Sequence, residues 1–169
     1  MTTAPCRAAV SGFTFIELVI TLALVGMVSM LALPLYEMNA TRLKEAELRL
    51  ALRTIRTGLD AYKAASDAGS LPREPGESGY PTSLEKLIEP QDLLGKRDLT
   101  DTLATRRLVI LRNLPRDPFS ADPTLPATQT WNTRAYASRS DDPQPGPDVY
   151  DITSKSTRHA LDGSLYADW

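Results

Sequence analysis

A single carboxylate, Glu17, stands near the start of an otherwise uncharged apolar run, and it constrains this chain more than any other residue. From Phe13 to Tyr36 the sequence reads FTFIELVITLALVGMVSMLALPLY, enough helix, at about 1.5 Å per residue, to cross a hydrocarbon core about 30 Å thick. An acidic side chain at the centre of such a span costs about 2.5–3.5 kcal/mol and is tolerated where it has a partner. The run contains no cation. Cutting the chain between Gly12 and Phe13 creates one, because the new amino group of Phe13 lies at the depth of Glu17 and carries a positive charge.

Two simpler readings account for less. A secretory signal has a shorter apolar region with its small-residue cleavage site after it, whereas here the small residue, Gly12, comes first. A plain single-pass anchor would place Glu17 in the first helical turn, where the helix dipole favours an anion and the side chain reaches the interface. That reading leaves the Gly12-Phe13 junction unexplained.

The stretch Gly12-Phe13-Thr14-Phe15-Ile16-Glu17-Leu18 ahead of a membrane-length run, with Pro34 further along it, resembles the type IV pilin superfamily. Tyr80-Pro81-Thr82-Ser83-Leu84 followed by Leu87, then Leu114-Pro115-Arg116-Asp117-Pro118-Phe119 and the terminal Trp169, is similar to the major (G-type) pseudopilin of type II secretion systems. The resemblance implies an α+β, pilin-like fold: a long N-terminal helix, membrane-spanning in its first half, packed on a small C-terminal antiparallel sheet. It divides the chain into a cleaved leader (1–12), a transmembrane and filament-core helix (13–36), a periplasmic half of that helix (37–69) and a loop-and-sheet region (70–169). It further implies cleavage after Gly12 by a prepilin peptidase, methylation of the Phe13 amine, and pairing of Glu17 with the Phe13 amine of an adjoining subunit. The partners implied are other copies, other pseudopilins and an inner-membrane assembly platform with a cytoplasmic ATPase. Pro34 lacks an N–H and its ring clashes with the carbonyl of Met30, which predicts a helix kink; in that family a proline placed like it also marks a segment that can unwind as subunits pack. A type IV pilus subunit shares every N-terminal feature and is the nearest alternative. A tip-capping minor pseudopilin is another, against which the presence of Glu17 argues.

Composition fits one small domain behind one anchor. The 169 residues carry 19 Lys plus Arg against 21 Asp plus Glu, so no basic surface advertises nucleic acid. The sole cysteine, Cys6, falls in the leader, and a processed chain would form no disulfide. Many pilus subunits close a C-terminal loop with a cysteine pair, so its absence favours a pseudopilin. For orientation, Arg42, Lys44, Arg49, Arg53 and Arg56 follow the span while Arg7 alone precedes it, and the positive-inside rule would put the C-terminal side in the cytoplasm. The resemblance implies the reverse, an inner-membrane anchor with a periplasmic domain, and that is the expectation adopted.

Residues 37–68 contain no proline, and Leu48, Leu52, Ile55, Leu59 and Tyr62 recur at helical steps as one apolar stripe, the surface on which a sheet would pack. Glu45 and Arg49 read as an i,i+4 pair on the opposite, charged face, and Gly69, Ser70 and Pro72 as the stop. Ser83–Ile88 reads as a short helix capped from Thr82-Ser83. Leu99–Leu114 is open between helix and a buried strand at Leu108–Leu111. Trp131–Ser138 and Val149–Thr153 read as strands, Ser164–Trp169 as a final edge strand, and Asp141–Asp148 as a proline-rich surface loop.

Chemistry is sparse. The major pseudopilins commonly hold calcium in an aspartate-rich C-terminal loop, but here that region reads SKSTRHALDGSLYADW and offers only Asp162 and Asp168, with Asp162-Gly163 suited to a turn. Asp141, Asp142, Asp148 and Asp151 form a second acidic group suited to capping turns. No cofactor is expected, and calcium is the ion to test. The one histidine, His159, has no patterned Ser or Cys nucleophile beside it, and no phosphate loop or metal-ligand spacing is present. The chain therefore reads as no enzyme, a membrane-anchored hydrolase being the remote alternative.

Overall fold

The computed structural model describes residues 12–94 and 107–169. Residues 1–11, which include Cys6 and Arg7 and all but Gly12 of the expected leader, and the first half of the ambiguous Leu99–Leu114 stretch lie outside them. The chain divides into two compact units, Met1–Ala40 and Thr41–Trp169.

A single helix, α1 (Phe15–Asp67), contributes to both units and is continuous through Pro34. In the first unit every described side chain from Phe13 to Tyr36 is exposed, as an all-round apolar helix must be when no protein surrounds it. This segment is long and apolar enough to span a membrane. Its few polar groups are already satisfied within the helix. The Thr21 hydroxyl donates to the Leu18 carbonyl at 2.9 Å and the Ser29 hydroxyl to the Val25 carbonyl at 2.8 Å, which removes the cost of placing them in hydrocarbon.

In the second unit α1 buries one face. Leu48, Ala51, Leu52, Ile55 and Leu59 pack with Leu84, Leu87, Leu114, Phe119, Trp131, Val149, Ile152 and Tyr166 into one core, with Tyr62 packed against it. The helix ends where Gly69 adopts φ +68°. The Ser70 N–H donates to the Ala65 carbonyl and the Gly69 N–H to the Ser66 carbonyl, both at 3.0 Å, the bond pair of a Schellman stop.

The strands are short. β1 (Gln91–Asp92) pairs antiparallel with β2 (Arg107–Leu108), and β3 (Trp131–Arg134) with β4 (Asp151–Ser154), Trp131 lying opposite Ser154 and Arg134 opposite Asp151. The α+β content and the antiparallel pairing agree with expectation, but the sheet is divided into two separate pairs. Val109 is exposed and Leu111 leaves the ladder to donate its N–H to the Leu87 carbonyl at 2.8 Å, so Leu108–Leu111 is not a buried strand. Gly58 admits Leu111 at the helix surface, since a Cβ there would sit 3.1 Å from Leu111 Cδ1.

Three further expectations are corrected. Leu84–Leu87 is a 3-10 turn, and no side-chain bond from Ser83 caps it. Ser164–Trp169 is not an edge strand. His159 and Leu165 form one isolated bridge, after which Tyr166–Asp168 winds into a 3-10 turn. The cause is burial of Tyr166, whose ring stacks on Phe119 at 4.1 Å and meets Trp169 edge-on at 5.1 Å, a packing an extended strand would not allow. Finally, Glu45 is buried, at 6% exposure, rather than on a charged outer face.

Candidate functional site

The start of α1 gathers the residues singled out from sequence. Gly12, Phe13 and Thr14 precede the helix, and a Cβ on Gly12 would meet nothing within 4 Å. Phe13 is 84% exposed. The peptide bond between Gly12 and Phe13 therefore lies in open, non-helical chain. Thr14 is the N-cap. Its hydroxyl oxygen accepts the Glu17 N–H at 3.3 Å while the Glu17 carboxylate accepts the Thr14 N–H at 3.5 Å, a reciprocal capping box that satisfies two of the orphan donors at a helix start. The signal was present in the sequence as Thr-x-x-Glu, and Thr14 is the residue that reading by charge alone overlooked.

This geometry gives Glu17 a role within one chain. It also leaves the carboxylate exposed and one turn from Phe13, so an amine brought near would compete with the Thr14 N–H for it. A charge-assisted bond to an ammonium group is roughly twice as strong as a neutral amide bond, and in a water-free setting the ammonium is the better partner. Pro34, the other sequence-marked residue of this segment, lies inside α1.

In the second unit the Leu114–Phe119 motif is tied down by Asp117, which is 2% exposed. Its Oδ1 accepts the Phe119 N–H at 2.8 Å and its Oδ2 the Ser154 hydroxyl at 2.6 Å, while its own N–H donates to Thr130 Oγ1 at 3.2 Å. Trp131 Nε1 donates to the Pro115 carbonyl at 3.0 Å. Arg116 points the other way and gathers the following loop through the Leu125 and Asp122 carbonyls, at 2.6 and 2.5 Å. These contacts make the motif the junction between the helix-packed segment and β3–β4.

Glu45 holds the chain's far end. Its Oε1 accepts the Leu161 N–H at 2.8 Å and the Tyr166 hydroxyl at 3.1 Å, and burial, followed by that hydrogen bond, pushes the Tyr166 phenol above its usual range. Arg56 extends the same attachment, donating to Asp151 Oδ1 at 2.8 Å and to the Trp169 carbonyl at 2.7 Å.

The aspartates considered for a metal, Asp168 apart, are each engaged separately. Asp141 pairs with Arg139 at 2.9 Å, Asp142 accepts from Gln144, Asp148 binds Ser78 and the Tyr136 N–H, and Asp151 faces Arg56 and Arg134. Asp162 closes a turn through the Ser164 N–H at 2.9 Å with Gly163 at φ +89°, as the Asp-Gly pair suggests. Among the described residues no three His, Cys, Asp or Glu side chains converge as metal ligands. His159 is exposed and engaged through its backbone with Leu165.

Set against known protein families, curated proteins and solved structures, the chain matches none of them.

Proposed function

We propose that this chain is a structural subunit of a type II secretion pseudopilus, processed by a prepilin peptidase after Gly12 and assembled from the inner membrane into a periplasmic fibre that drives protein export. The observation that carries this reading is the placement of Gly12-Phe13 in exposed chain immediately before a helix start at which Glu17 waits, ahead of a membrane-length apolar run. Cleavage there would put a cationic amine beside the only charge in the segment. The processed subunit is anchored by α1 with its second unit in the periplasm. Burial of the apolar segment against other copies then replaces lipid, and each Glu17 takes the Phe13 amine of a neighbour, fixing register because an unpaired charge in that core is heavily penalised. Other pseudopilins, an assembly platform and a cytoplasmic ATPase complete the machine, since nothing in this chain resembles a nucleotide site.

A plain anchor is favoured by one specific observation, the capping box, which explains Glu17 without any second chain. Intact-mass spectrometry of the protein from cells with and without prepilin peptidase separates the two. A chain beginning at N-methylated Phe13 only when the peptidase is present is the expected result. One that retains residues 1–12 in both strains reduces Glu17 to a helix cap. If processing occurs, comparing the secreted proteins of a deletion strain distinguishes the pseudopilus from a type IV pilus.

A further inference from the structure

Five basic residues follow the apolar segment, Arg42, Lys44, Arg49, Arg53 and Arg56, and the fold accounts for only some of them. The Arg49 guanidinium lies 4.1 Å over the Trp169 ring and 4.0 Å from Glu45, and Arg56 is held by Asp151 and the Trp169 carbonyl. Arg42, Lys44 and Arg53 are exposed and have no partner among the described residues. Position along α1 separates these three. Glu17 and Glu37, the charges that bracket the uncharged run, are twenty residues apart, which is about 30 Å of helix and the thickness of a hydrocarbon core. Tyr36 adjoins the second of them, and aromatic residues concentrate at that boundary. With Glu37 at the edge of the hydrocarbon, Arg42 is about 8 Å beyond it, Lys44 about 10 Å and Arg53 about 24 Å. The headgroup layer is about 5–8 Å deep on each side. Helical side chains lean toward the helix N-terminus, here toward the membrane, and long basic ones reach further. Arg42 and Lys44 therefore deliver their charge into that layer, while Arg53 stays about a Debye length above it.

We propose that Arg42, assisted by Lys44, binds the phosphate of an anionic phospholipid in the leaflet at the Tyr36 end of the span. Guanidinium suits that ligand, since it is always charged and its planar fork engages a phosphodiester through two parallel N–H bonds. Five residues put Glu37 about 140° round the helix from Arg42, so that carboxylate does not share its face. Lys44 lies within about 20° of Glu37 and is the weaker of the pair. A headgroup of net negative charge is favoured over a zwitterionic one, whose own ammonium competes for the phosphate. The contact would fix the depth at which α1 sits, and it gives a use to basic residues that the positive-inside rule does not expect on a periplasmic side. This inference rests on insertion of the apolar segment in a membrane, and neither on assembly nor on which side the second unit occupies.

Native mass spectrometry of the detergent-solubilised full-length chain, given equimolar phosphatidylglycerol and phosphatidylcholine of matched acyl chains, tests it. The expected result is about a fivefold excess of the phosphatidylglycerol adduct, the worth of one cation at a membrane surface, lost in the Arg42→Gln/Lys44→Gln double variant. Arg53→Gln removes another exposed, unpartnered cation and should leave the excess unchanged. All three positions are on the surface with no packing to lose, so the contrast reads a site rather than a folding defect. An excess that survives undiminished in the double variant, or that Arg53→Gln lowers as much, overturns the inference. Displacement of the lipid by inorganic phosphate in about tenfold excess also overturns it, by showing a site for free anions. Flotation of the same chain after reconstitution into phosphatidylcholine vesicles reads insertion separately. A chain that floats and shows no lipid preference overturns the lipid site alone, whereas one that stays at the bottom of the gradient removes the membrane anchor with it.

Discussion

The carboxylate of Glu45 and the hydroxyl of Tyr166 meet at 3.1 Å across 121 residues of chain, joining α1 to the last turn of the second unit. The same oxygen accepts the Leu161 N–H, so one buried side chain satisfies two donors. Glu45→Leu leaves both donors without a partner at about 1–3 kcal/mol each, and the expected loss is about 2–4 kcal/mol. Glu45→Gln keeps an acceptor oxygen and should cost about 1 kcal/mol, and Tyr166→Phe about the same. Thermal unfolding of the detergent-solubilised chain, followed by circular dichroism, measures the three. An unchanged midpoint in Glu45→Leu would show that the latch contributes nothing.

Asp117 should behave differently from the exposed acids. With both oxygens engaged inside the fold, Asp117→Ala strands the Phe119 N–H and the Ser154 hydroxyl and costs about 2–4 kcal/mol. Asp117→Asn retains an acceptor for Phe119, and the serine hydroxyl can rotate to accept from the amide, so the cost falls to about 1 kcal/mol. Asp141, exposed and paired only with Arg139, tolerates alanine within about 0.5 kcal/mol. Denaturant midpoints of the three variants give the order, and equal losses at positions 117 and 141 would contradict it.

Stability should be level between about pH 5 and 9 and fall on both sides. On the alkaline side, burial raises the phenols of Tyr62, Tyr80 and Tyr166, so the folded state holds these protons more tightly than the unfolded one. Their contribution is complete below the ordinary phenol value of about 10 and is lost as pH climbs from there through the raised values. On the acid side, the Lys63 hydrogen bond holds the Asp67 carboxyl below its usual range and a bond to Thr128 does the same for Glu85. That contribution is present above about pH 4 and disappears as pH drops through the lowered values. Unfolding midpoints taken from pH 3 to 11 would show both losses, and a profile flat to pH 11 would rule out the alkaline one.

How much was legible depended on how local the cause was. The stripe from Leu48 to Leu59 and the stop at Gly69 were readable because helical spacing and a left-handed glycine act within a few residues. The Glu45–Arg49 pair forms as expected, at 4.0 Å, but Glu45 was wrongly placed on an outer face because its closer contacts come from residues more than a hundred positions away. The edge strand at Ser164–Trp169 failed for the same reason: β propensity yielded to burial of Tyr166 against Phe119. At the candidate site Gly12, Phe13 and Glu17 were visible, and Thr14 was visible too but only to a reading that asks where the first backbone donors of a helix find acceptors.

The capping box makes the role of Glu17 separable by substitution. Glutamine serves in a capping box as glutamate does, so Glu17→Gln preserves the start of α1 while removing the charge. Glu17→Val removes both. If Glu17 acts only as a cap, the glutamine variant, carrying Ile16→Cys in a Cys6→Ser background, is processed, accumulates and cross-links through position 16 like the parent in that background, and only the valine variant is impaired. If Glu17 pairs with the Phe13 amine of a neighbour, both variants are cut after Gly12 but neither assembles, because a neutral amide cannot balance a buried ammonium group. Thr14→Val, which loses the hydroxyl but keeps the carboxylate, should weaken the cap by about 1 kcal/mol and leave assembly intact. Processing, scored by intact mass, and oligomers, scored by cross-linking at position 16, are read in the same cells. Equal oligomer yield from the parent and Glu17→Gln would end the charge-pairing mechanism while leaving the anchor in place.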